Sequence, residues 1–177
     1  MNFMCCGGIY LDITTNKLIK VFFPIPNILI PVVDLNGTYE LCQWGQRESD
    51  KNLIKELPIT GWARLESLDK LYWTRHNLQK VLIPFKSFFE KDKNDPSYPK
   101  NKATEFELQK EQALLGVLIE NPIRNVVYVV TEPIKNWIHD RHPLIVKINQ
   151  DPQTRDSKLD SDYNPCNQNV TIHAGGQ

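Results

Sequence analysis

The apolar residues of the chain change period several times, and each change marks an element. Residues 6–11 predict a first strand, with Gly7 and Gly8 permitting close backbone approach beside the cysteines. Pro24, Pro26 and Pro31 punctuate the apolar stretch that follows, which then turns at Asn36-Gly37, a pair suited to a tight hairpin. Residues 30–35 and 38–44 on either side predict two antiparallel strands, the first carrying Pro31 near its start or on an edge. Residues 48–57 are polar and predict a loop or short helix ending before Pro58. From there, Leu65, Leu68, Tyr72 and either Leu71 or Trp73 follow helical spacing, which predicts a short amphipathic helix to about His76.

Strand patterns return at 80–85 and 87–90, and 91–102 is a charged, proline-containing stretch that predicts an exposed loop. The next segment is divided, with helix formers over 105–112 and a buried-strand composition over 113–119. The Val-Val-Tyr-Val-Val run ending at Val130 is the clearest strand signal in the chain. A helical turn at 134–138 after Pro133 and a last strand at 144–148 complete the pattern. Beyond Asp151 core-forming residues nearly vanish, which predicts one domain over 1–150 and a poorly ordered polar tail over 151–177. No internal repeat is present.

With 177 residues and 41% apolar content, the chain has material for one ordinary core. Its longest apolar runs are far shorter than the roughly 20 residues of a membrane span. The segment Met1-Asn2-Phe3-Met4-Cys5-Cys6 lacks the charged and apolar regions of a secretory signal, so a soluble, cytoplasmic protein is expected. Cys5, Cys6, Cys42 and Cys166 do not form a secreted disulfide framework, and the chain has neither CxxC nor HxxxH spacing, so no metal is expected. The N-x-T matches at Asn36 and Asn169 carry no meaning in an unsecreted chain.

Basic and acidic residues balance at 21 each, so any nucleic-acid site must be local. Between Gly61 and Lys93, Arg64, Lys70, Arg75, Lys80, Lys86, Lys91 and Lys93 stand against Glu66, Asp69, Glu90 and Asp92. The same window holds Trp62, Tyr72, Trp73, Phe85, Phe88 and Phe89. Basic charge interleaved with aromatics suits single-strand binding through phosphate contacts and base stacking. A solvated surface over a buried aromatic core produces the same composition.

Three segments carry potential chemistry: Cys5-Cys6-Gly7, Phe88-Phe89-Glu90 and Ile138-His139-Asp140-Arg141. A thiol or amine nucleophile, a carboxylate and an imidazole are the minimum parts of acid/base-assisted covalent chemistry. Each also has a structural reading, as a small buried cysteine, a solvated glutamate and a histidine within a hydrogen-bond cluster.

Taken in order with their flanks, the blocks Met4-Cys5-Cys6-Gly7, Trp44-Gly45, Ala63-Arg64-Leu65-Glu66, Val81-Leu82-Ile83-Pro84 leading into Phe88-Phe89-Glu90, and Val129-Val130-Thr131 leading into Ile138-His139-Asp140-Arg141-His142-Pro143 resemble the SOS response-associated peptidase (SRAP) family, the abasic-site processing proteins. The resemblance runs from about Met4 to Val146, and its last block is the most specific. It implies an α+β fold, mostly antiparallel, with a barrel-like curved sheet and short flanking helices.

The resemblance further implies a monomeric protein of the DNA damage and SOS response that acts on abasic sites in single-stranded DNA without a cofactor. In that family an exposed N-terminal cysteine offers amine and thiol to the abasic aldehyde and closes a thiazolidine. An α-amine of pKa ~8 is partly neutral at physiological pH and can form the imine that the thiolate captures. By motif position Glu90 resembles the family's catalytic glutamate, His139 the histidine assisting ring opening, and Arg64 an arginine suited to a phosphate.

Two departures stand out. The family block Asn-Ala-Arg reads Trp62-Ala63-Arg64 here, so Trp62 could stack on a base, or Asn27 could take over the asparagine's part. Trp44 is grouped with Trp62 and Arg64 as a candidate DNA contact. Met1-Asn2-Phe3 also precede the cysteines, so translation from Met4 or self-removal of a leader is needed to free an amine, on Cys5 in preference to Cys6. The rival readings are a cysteine peptidase using Cys5 or Cys6 with Glu90 and His139, and a module holding single strands without covalent chemistry.

Overall fold

The computed structural model describes residues 6–50 and 53–148, together with the backbone of 172–173. The strands are β1 (Gly7–Asp12), β2 (Lys17–Phe22), β3 (Leu29–Val33), β4 (Tyr39–Trp44), β5 (Trp62–Arg64), β6 (Leu78–Ile83), β7 (Phe85–Lys91), β8 (Ala103–Glu107), β9 (Gln112–Ile119), β10 (Val126–Pro133), β11 (Arg141–Pro143), β12 (Ile145–Lys147) and β13 (Ile172–His173). Helix is confined among the described residues to 3-10 turns at Glu48–Asp50 and Leu65–Ser67 and one four-residue α-helix, α1 (Leu71–Thr74). The fold is therefore mostly β.

Five strands close on themselves. β10 pairs with β4, β4 with β3, β3 with β6, β6 with β9, and β9 returns to β10. Only the β4–β10 contact in this ring is parallel. A second sheet in the order β13-β8-β7-β1-β2 is antiparallel throughout. This agrees with the expected mostly antiparallel, barrel-like sheet.

β10 is the organising strand. On one side it takes β4 and then β5; on the other it takes β9 and then β11. The chain then passes from β11 to β12, which pairs with the start of β9. Successive residues of β9 and β10 face two different cores, as the two-residue strand period requires. Leu114, Leu118, Val127 and Val129 join a cluster with Ile30, Trp44, Ile83, Phe85 and Phe88 that reaches the second sheet. Leu115, Val117, Ile119, Val126, Tyr128 and Val130 pack instead with Ile54, Leu57 and Trp73, under the helical turns.

The Asn36-Gly37 hairpin forms between β3 and β4, with Gly37 at φ +85. Pro31 lies inside β3 rather than at its start. The bonds Trp44 N–H to Ile28 O and Asp34 N–H to Thr38 O set the parity of the ladder, which turns Pro31 away from β4. On that other side β6 pairs only at Val33, so the missing N–H costs no ladder bond.

The helix expected from Leu65 to His76 divides into the 3-10 turn and α1, and the helix formers of 105–112 lie in β8 and the turn before β9. The helical turn expected at 134–138 is instead a series of bends, with Asn136 at φ 59. No helix among the described residues is long and apolar enough to cross a membrane. Most of the tail expected to be poorly ordered lies outside the described residues; β13 within it adds a two-residue pairing to β8.

Candidate functional site

Cys6 immediately precedes β1. Its N–H donates to Phe89 O at 2.9 Å and its O accepts from Phe23 N–H at 3.0 Å. Because Gly7 pairs with Phe89 in the β1–β7 ladder, Cys6 comes opposite the Glu90 end of β7. Gly8 is required here, since a Cβ would sit 2.3 Å from the Phe85 ring. Its neighbour Gly7 would press a Cβ to 2.4 Å from Val21 O.

The Cys6 thiol is buried and lies 3.6 Å from Phe89 O as a weak donor. Burial first, then the Glu90 carboxylate, pushes it up to about 11, so the thiol form dominates at neutral pH. Glu90 itself is fully buried, and one of its oxygens accepts the Lys91 N–H at 3.2 Å. Cys5 lies outside the described residues. Lys20 arches over the Phe89 ring at 4.4 Å and so brings a cation to this end of the ladder.

The bends at 134–140 reach the same end. Lys93, two residues past β7, donates its N–H to Ile138 O at 2.8 Å, and its Nζ lies 3.3 Å from Asp140 Oδ2. His139 is buried beside them, its Nδ1 2.6 Å from Asp140 Oδ1. That contact runs off the N–H direction, so neither ring nitrogen has an aligned hydrogen-bond partner. Burial lowers the imidazole's pKa and Lys93 adds to the effect, while Asp140 opposes it. A cleft of about 270 Å³ opens here, lined by Lys93, Asn94, Asn136, Trp137, His139 and Asp140 among others.

The Arg141 that follows is a structural clamp. Its guanidinium forms a two-pronged pair with Glu66 at 2.7 and 2.8 Å and also donates to Thr131 Oγ1 and Thr131 O. This joins the Ala63-Arg64-Leu65-Glu66 block to the Val129-Val130-Thr131 strand, where β5 and β11 flank Thr131 from opposite sides. Arg64 is exposed beside this clamp.

Trp44 and Trp62 require a correction. Both were expected as candidate DNA contacts, yet Trp44 is 0% and Trp62 6% exposed. They pack edge to face against each other and around Phe23, and the Trp44 indole N–H donates to Gly61 O at 3.0 Å. Neither can stack on a base without leaving the core. The barrel needs large side chains at these positions more than the surface needs aromatics. Asn27 stands in an exposed turn at φ 56.

Sequence reasoning missed two contributors. Phe23 ties the Cys6 segment to the core, because its N–H holds Cys6 O while its ring lies 4.7 Å from Trp62. Trp137 lines the cleft directly before the Ile-His-Asp block, a position hidden by the helical reading of 134–138. Among the described residues no group of three or more His, Cys, Asp or Glu is placed to hold a metal. No family model, no curated protein and no solved structure matches this chain.

Proposed function

We propose that this protein is an SRAP-type abasic-site sensor that bonds covalently to abasic single-stranded DNA. The observation supporting the reading is that Cys6 stands opposite Glu90 at the end of β7, while Lys93, three residues beyond Glu90, bonds through its N–H to Ile138 O beside His139. These segments are far apart in sequence, and no packing requirement of the barrel calls for a buried carboxylate and a buried imidazole there.

In this reading Cys5 is the reacting residue, because the Cys6 amide is spent in the ladder and its thiol is held protonated by burial. The Cys5 amine adds to the aldehyde carbon of the abasic site, and the carbinolamine loses water to give an imine. Sulfur then adds to the imine carbon while its proton passes to nitrogen, closing the thiazolidine with one water released overall. Glu90 supplies and recovers protons at the carbinolamine. A neutral His139, favoured by its lowered pKa, serves as the second proton acceptor.

One observation favours non-covalent binding as a second reading: Trp62, where the resemblance calls for an asparagine amide, is packed into the core. A denaturing gel separates the two. Protein carrying a free Cys5 amine, incubated with an abasic oligonucleotide, is expected to give a retarded band that survives denaturation, and Cys5→Ala is expected to abolish it. A native shift that disappears on denaturation supports the second reading instead.

A further inference from the structure

We propose that Trp137 is the platform on which a nucleobase of bound single-stranded DNA stacks, with the base seated in the cleft beside His139. The inference rests on the DNA-binding reading above and replaces Trp44 and Trp62 in the role expected of them. Trp44, Trp62 and Trp73 are 0%, 6% and 1% exposed, so Trp137 is the one tryptophan of the four that is partly exposed. Its indole is backed by other rings, with Phe106 at 5.2 Å, His142 at 5.8 Å and Phe88 at 6.4 Å between centroids. A side chain braced in this way is already ordered before a ligand arrives, which reduces the entropy lost on stacking.

The rest of the cleft suits a base. Asn94 and Asn136 are exposed and carry amides able to both donate and accept, as base edges require. Lys93 and Asp140 place one cation and one carboxylate on the rim, and the buried His139 Nε2 lacks a protein partner. At about 270 Å³ the space is large enough for one base. Lys135, exposed in the same loop, is available to a backbone phosphate.

Intrinsic fluorescence tests the proposal, because the buried indoles are shielded from contact quenching. Titrating the full chain with intact oligo(dT), while fluorescence anisotropy of a labelled strand reports binding separately, is expected to quench tryptophan emission in step with binding. Trp137→Phe keeps an aromatic ring against Phe106 and should retain the fold while losing the quench. Trp137→Ala should weaken strand binding about five- to a hundredfold, the range for loss of one stacking contact.

Quenching that persists in Trp137→Phe overturns the proposal, as does strand binding by the parent without any quench. Quenching by thymidine monophosphate but not by oligo(dT) also overturns it, by assigning the cleft to a free nucleotide. Absence of any strand binding removes this inference together with the DNA reading. A normal quench with no cross-link to abasic DNA leaves the inference standing and removes only the covalent function.

Discussion

All eight residues of β9, from Gln112 to Ile119, are buried, whereas in the bends at 134–140 only His139 is. The two regions lie in the same molecule and handle polarity in opposite ways. β9 has a core on each face, so its sequence is almost wholly apolar, and its backbone groups are consumed by β6, β10 and β12. The bends place Asn136 and Asp140 along a cleft and sink a single imidazole beside them. The contrast separates a wall whose substitutions should affect stability from a rim whose substitutions should affect chemistry.

The largest expected effect is on the wall. Trp44→Ala empties a fully buried site and removes one of the two hydrogen bonds that Gly61 O accepts, leaving the one from Val129 N–H, so equilibrium urea unfolding should show a loss of about 3–5 kcal/mol. A loss below about 0.5 kcal/mol, typical of surface positions, would move Trp44 back to the surface and break the comparison.

Next comes the boundary between the regions, where His142 packs against Trp137 with Nε2 3.2 Å from Glu132. Burial pushes the His142 imidazole down to about 4 and raises the Glu132 carboxyl. The folded pKa of the histidine is depressed, so its contribution is intact above the unfolded value near 6.5. It is lost as pH falls from there to about 4, by up to ~3 kcal/mol. Urea midpoints measured across this range should fall in the parent and flatten in His142→Phe. Equal pH slopes in the two proteins would contradict a buried, neutral His142.

At the buried Glu90 end of β7, Glu90→Gln preserves shape and removes a proton-transfer group. Cross-linking to abasic DNA should slow by about a hundredfold, ~2.7 kcal/mol of barrier, with the unfolding midpoint little changed. A variant that folds and cross-links at the parent rate would remove Glu90 from the site. The smallest effect belongs to exposed Arg64. Arg64→Ala should weaken binding to intact and abasic strands alike, and reduce the salt slope by about one. An unchanged slope would place Arg64 off the DNA path.

Local pattern determined much of the architecture. The Asn-Gly turn fixed the β3–β4 hairpin because type and register of a tight turn depend on adjacent residues, and the Val-rich run at 126–130 could hardly avoid a strand. The types and flanks of Cys6, Glu90 and His139 likewise marked them as candidates for chemistry. What the pattern could not show is which aromatics face water. Trp44, Trp62 and Trp137 have the same composition signal, and only closure of the barrel through β4–β10 and β9–β10 puts the first two inside and leaves the third at a cleft. Nor could it show that Arg141 is spent on Glu66 and Thr131, or that the helix formers at 105–112 would yield to β8 and its pairing with β7. Burial and partner choice depend on residues distant in sequence, and a chain fixes them only when its strands have closed around a core.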